Sequence, residues 1–102
     1  MADGLILEFE GFGADTYKRV NDALGIDPVS GEGDWPDGLV THVGAEQDGA
    51  FVVFEVWRSQ ADQERFMAER LMPALQANDV SSPPKRADWL DLAGHHHRPD
   101  QG

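Results

Sequence analysis

Short strand-like apolar runs, interrupted by two stretches with helical spacing, organise this chain. Residues 5–9 (LILEF) form the first run, and Gly11-Phe12-Gly13 closes it. Asp15 or Thr16 can then accept the free amide protons of a first helical turn. Tyr17, Val20 and Leu24 recur on one helical face until Gly25 ends the pattern. Residues 25–38 are rich in Gly, Pro and Asp, with Trp35-Pro36 near their end, and read as a long loop suited to closing over something.

Residues 39–45 and 51–57 are two further strand-like runs, and the Asp48-Gly49 pair between them tolerates positive φ at both central positions of a type I′ turn. That turn predicts a register in which Gln47 pairs with Ala50, Val43 with Phe54, His42 with Glu55 and Val40 with Trp57. Alternation then sorts the hairpin into two faces. Leu39, Thr41, Val43, Ala45, Val52, Phe54 and Val56 form a nearly apolar one. Val40, His42, Gly44, Phe51, Val53, Glu55 and Trp57 form a bulky, mixed one. Neither face suits water, so the sheet needs a second layer beyond its own helices, and another copy of the chain is the simplest supplier.

Ser59 begins a second helix, with Asp62 placed to return the capping interaction. Phe66, Met67, Arg70, Leu71, Ala74 and Leu75 follow at i, i+3, i+4 steps. Pro73 removes a backbone donor and predicts a kink or division near Met72. Residues 78–84 form a turn-rich link. Residues 87–92 form a last strand with Trp89 facing one way and Leu90 and Leu92 the other. The order β-α-β-β-α-β predicts an α+β, ferredoxin-like fold: a four-stranded antiparallel sheet with two helices on one face. Residues 1–93 make a single domain, and residues 94–102 a disordered polar tail.

Composition narrows the function. The 102 residues suffice for one core, and without cysteine there is neither a disulfide nor a catalytic thiol, which suits a reducing compartment. No basic segment precedes the short apolar stretch at residues 5–7, and no run reaches the roughly 18 apolar residues of a membrane span. A cytoplasmic location is therefore expected, with no membrane partner. The formal charge of −11 repels phosphate backbones, which argues against nucleic acid as a partner.

Candidate chemistry concentrates at His42, facing Glu55, with Trp57 on the same side. A carboxylate beside imidazole orients the ring and supports its charged form, and an indole offers a flat wall to a planar ligand. The same residues also fit a structural cross-strand pair with Trp57 as packing. Arg70 can hold an anionic or phenolic oxygen or extend to solvent. Trp35 fits either a lid over a pocket mouth or a plug in the core. His95, His96 and His97 lie on a tail without fixed geometry, so no metal site is assigned to them. Motifs for nucleotide binding, serine hydrolysis and zinc peptidase chemistry are missing from the sequence, and no cofactor is expected.

The segment FVVFEVWRSQADQERFMAERLMPAL (residues 51–75) resembles the dimeric α+β barrel superfamily, especially its antibiotic-biosynthesis-monooxygenase-like members and the uncharacterised bacterial proteins among them. Their Glu-x-Trp-x-Ser pattern is matched by Glu55, Trp57 and Ser59. The resemblance implies a homodimer with two sheets facing each other and a pocket in each subunit between sheet and helices. Trp57, Phe51, Arg70, Met67 and Trp35 would contact a substrate there, with His42 and Glu55 catalytic. Some members of this superfamily oxidise phenolic polyketides with oxygen and no cofactor, and others degrade haem. The second helix has no histidine, so the iron ligand of the haem-degrading branch is missing. Two functions remain: a cofactor-independent monooxygenase of an aromatic or polyketide-like substrate, or a non-catalytic dimeric module for binding, stress response or regulation.

Overall fold

In the computed structural model, which describes residues 2–80 and 83–96, β1 (Asp3–Glu10) sits inside an antiparallel sheet of order β2-β3-β1-β4. It pairs with β3 (Ala50–Trp57) on one side and β4 (Arg86–Asp91) on the other, and β2 (Leu39–Gln47) pairs with the far side of β3. The Asp48-Gly49 turn has positive φ at both residues, and the pairs Gln47 with Ala50, Val43 with Phe54 and His42 with Glu55 all form as the turn chemistry dictates.

The register departs from expectation at the start of β2. A bulge between Leu39 and Thr41 sets Leu39, not Val40, opposite Trp57. Two residues then oppose one. Leu39 turns toward the helices and packs on the core, and Val40 is left 43% exposed.

Helix α1 (Ala14–Leu24) uses Gly13 as its N-cap rather than Asp15 or Thr16. A side-chain acceptor comes from far away in sequence, since Ala14 N–H donates to Glu46 Oε2 on β2 at 3.3 Å. Its C-terminus is locked locally. Gly25 adopts φ 76° and donates to Asp22 O, while Ile26 N–H donates to Asn21 O at 3.1 Å, a Schellman arrangement.

Ser59 caps α2 (Gln60–Phe66) by accepting the Asp62 N–H at 3.1 Å, as its position predicted. The division expected at Pro73 is a π-helical turn, Met67–Leu71, followed by α3 (Met72–Ala77). Met72 N–H reaches Met67 O, five residues back, and the wider turn ends where Pro73 has no N–H to give.

Helices and sheet enclose Leu5, Leu7 and Phe9 of β1, Phe51, Val53 and Trp57 of β3, Val20 and Leu24 of α1, and Phe66 and Ala74 beyond. The opposite sheet face carries Ile6, Val43, Val52, Phe54 and Leu90, with Val43 51% and Leu90 38% exposed. No helix among the described residues is long and apolar enough to cross a membrane. Of the expected polar tail, residues 97–102 lie outside the described residues, His97 among them.

Candidate functional site

The period-2 alternation of β3 places Glu55 and Trp57 on the helix side of the sheet, and the hairpin register sets His42 directly across from Glu55. Trp57 Nε1–H donates to Glu55 Oε1 at 2.9 Å, and His42 Nδ1 meets Glu55 Oε2 at 2.8 Å. A carboxylate that already receives the indole proton accepts from Nδ1–H as well, so that Nε2 is an acceptor whenever the ring carries a single proton. Tyr17 of α1 supplies the matching donor, its phenol hydrogen-bonded to Nε2 with the two rings nearly parallel. Tyr17, His42, Glu55 and Trp57 thus form one continuous hydrogen-bonded chain from helix to sheet.

Gly44 makes that chain sterically feasible. It follows His42 on the same face, and a Cβ there would lie 2.7 Å from Tyr17 Cζ and 2.8 Å from Tyr17 Oη. Phe51 supports the phenol from the other side, 4.5 Å between ring centroids. Burial pushes the Tyr17 phenol above its ordinary pKa; the Asn21 side chain pulls partly against this and the Glu55 charge adds to it. Gly44→Ala is expected to push the ring off His42 and cost about 1–3 kcal/mol by overpacking. Because Tyr17 is the single tyrosine, ultraviolet titration of the phenol reads this directly. The transition should fall back toward the ordinary value in the variant, and an unchanged one would mean that the ring had not moved.

The chain of polar groups opens on a cavity of about 50 Å³ between sheet, helices and the loop 25–38. Leu7, Phe9 and Val53 line its sheet side, Val20, Asn21 and Leu24 its α1 side, Phe66, Leu71 and Leu75 the second helical arm, and Ile26, Trp35 and Pro36 the loop. Tyr17, His42 and Glu55 are the ionisable groups in this lining, which includes no lysine or arginine among the described residues. The walls otherwise give a ligand apolar contact.

His42, Glu55 and Trp35 therefore meet at one cavity, with the Trp35 ring 5.6 Å from that of His42. Trp57 and Phe51 stand behind the wall: Trp57 is fully buried and holds Glu55, and Phe51 backs Tyr17. Arg70 and Met67 are not in the lining. Arg70 donates to Leu24 O at 2.8 Å and Asp34 O at 2.7 Å, and its guanidinium lies 5.5 Å over the Phe66 ring, so it clasps the loop to the end of α1. Tyr17 and Asn21 were not among the residues singled out from sequence. The available signal was Asn21, a polar residue inside the apolar Tyr17, Val20, Leu24 stripe.

No family model matches the sequence, and no curated protein is significantly similar to it. Solved structures match along the chain's length. A candidate antibiotic biosynthesis monooxygenase from Chloroflexus aurantiacus is 14% identical with a TM-score of 0.65, the match covering 94% of this chain and 98% of that one. The NE2512 protein of unknown function from Nitrosomonas europaea is 20% identical with a TM-score of 0.68, covering 97% and 96%. SnoaB, a cofactor-independent oxygenase from Streptomyces nogalater, is 15% identical with a TM-score of 0.55, covering 97% and 98%. The chain thus shares the fold of these solved structures, a ferredoxin-like four-stranded antiparallel sheet with its helices on one face.

Proposed function

We propose that this chain is a cytoplasmic, homodimeric small-molecule enzyme, a cofactor-independent monooxygenase of an uncharged aromatic or polyketide-like substrate. The observation that carries the reading is the hydrogen-bonded chain Tyr17, His42, Glu55, Trp57 ending at an apolar cavity. Tyr17 and His42 both border the cavity, and Tyr17 is the first acceptor of the relay. The acidic proton of the substrate passes to Tyr17 Oη as the phenol proton passes to His42 Nε2, and Glu55 stabilises the imidazolium. Burial favours the neutral phenol, so Tyr17 works as a relay and not as a standing phenolate. The carbanion left behind is electron-rich enough to reduce oxygen. A ring methylene becomes a carbonyl, one oxygen atom enters the product, and the other leaves as water with the two hydrogens. The fold shared with SnoaB is consistent with this chemistry. The exposed apolar sheet face, with Val43, Phe54 and Leu90, is the surface through which two copies would pair.

An oxygen electrode with anthrone as probe tests the proposal. Enzyme-dependent uptake of one oxygen per anthrone, with anthraquinone as product, is the expected result. Uptake no faster than in protein-free buffer would reject it. A non-catalytic dimeric module is the second reading, and the small cavity favours it, because small-molecule sites usually offer about 300 Å³ or more.

A further inference from the structure

Two hollows in this structure share one wall. The cavity of about 50 Å³ at Tyr17 and His42 adjoins a cleft of about 290 Å³ bordered by Pro28, Gly31, Val40 and Thr41, and Trp35, Leu39 and His42 line both. Two of these three are fixed. Leu39 is a strand residue paired with Trp57, and His42 is held through both ring nitrogens. The Trp35 indole is held more lightly. Its N–H donates to Gly31 O at 3.0 Å, inside its own loop, and its ring meets that of His42 at 5.6 Å in a tilted contact without a hydrogen bond.

The loop that carries Trp35 is anchored at its ends. Ile26 is buried in the core, and Gly38 O accepts the Arg58 N–H at 2.8 Å. A bridge between Ile26 and Gly33 closes its neck, where Asp34 N–H donates to Gly25 O at 2.9 Å. Arg70, on the π-helical turn, ties this neck to the second helical arm. Its Nη2 donates both to Leu24 O and to Asp34 O, the carbonyl just before Trp35. The guanidinium is steadied by the Phe66 ring, which lines the inner cavity.

We infer that Trp35 is a gate between two halves of one ligand site, and that Arg70 is its latch. When the indole turns aside, the two hollows join into a space of roughly 300 Å³ or more, the ordinary size of a small-molecule site. The small inner cavity is then the closed state of a larger one. Neither lining includes a lysine or arginine among the described residues, and the outer one has no carboxylate, so the joined space suits an uncharged molecule with a flat apolar end. The inference rests on the cavity being a ligand site, as the proposed function does, and not on its oxygen chemistry. A closed resting state lowers the apparent affinity in proportion to the open fraction, so loosening the latch tightens binding.

Fluorine NMR of the full chain carrying 5-fluorotryptophan tests this, with naphthalene as the probe. The chain has three tryptophans, and Trp35→Phe identifies the Trp35 signal. That signal should show exchange on the microsecond-to-millisecond scale and shift as naphthalene is added. The affinity read from the shift should rise about tenfold in Arg70→Met. Arg70→Lys, with a single point donor in place of the clasp on two carbonyls, should fall between the two and decides the matter if Arg70→Met does not fold. A Trp35 signal that naphthalene leaves unmoved, or equal affinities in the unmodified protein and the Arg70 variants, would make Trp35 a plug of the core and overturn the inference. Missing oxygen uptake with an intact gate would reject the oxygenase alone. Oxygen uptake with unchanged affinities would reject the gate alone.

Discussion

Alanine at position 42 is expected to lower turnover of an enolisable aromatic substrate by about 10²–10⁴-fold, the usual contribution of a positioned acid or base, while the fold and the proposed dimer survive. The imidazole joins the cavity-lining phenol to the buried carboxylate, through Nε2 on one side and Nδ1 on the other. Without it, a proton arriving at Tyr17 has no onward acceptor. Tyr17→Phe should cost a similar factor, and the double variant little more than either alone, because groups in one relay are not additive. Steady-state rates for the three variants, with sedimentation to confirm the assembly, check this. Additive losses would separate the two residues, and an unchanged rate in His42→Ala would return His42 and Glu55 to a structural pair.

Trp57→Ala carries the largest expected loss of stability. Trp57 is fully buried, packs 5.7 Å from the Phe66 ring and faces Leu39 across the bulged end of β2. Truncating such a side chain costs about 3–5 kcal/mol. It also takes a donor from Glu55, a carboxylate with a side-chain exposure of 9%. Trp57→Phe separates the two contributions, since most of the ring volume stays and the N–H is lost. That variant should lose about 1–3 kcal/mol, the cost of leaving a buried acceptor underserved. Urea unfolding midpoints at constant slope measure both. A phenylalanine variant as stable as the parent would show that water or His42 alone satisfies Glu55.

The chain by itself determined the features that depend on neighbours in sequence. Asp48 and Gly49 tolerate positive φ, so the hairpin register that sets His42 against Glu55 was readable from a dipeptide. The Ser59 cap and the interruption before Pro73 follow from single backbone groups, an orphan N–H and a missing one. Strand alternation likewise placed Glu55 and Trp57 on one side of the sheet, and the resemblance carried by residues 51–75 anticipated the fold.

Only the tertiary structure decided the rest. The bulge that exchanges Leu39 for Val40 arises where the strand meets its loop, and no pattern in the run marks it. Which way α1 rotates over the sheet decides that Tyr17 occupies His42 Nε2, and this depends on the space left by Gly44, 27 residues away. The same rotation turns Asn21 into the cavity. Arg70 was legible as a cation on an apolar helix face, yet its partners are backbone carbonyls, which every residue presents and no sequence pattern distinguishes. Local conformation is written in short-range sterics and capping, whereas a site assembled from a helix, two strands and a loop depends on how those elements pack.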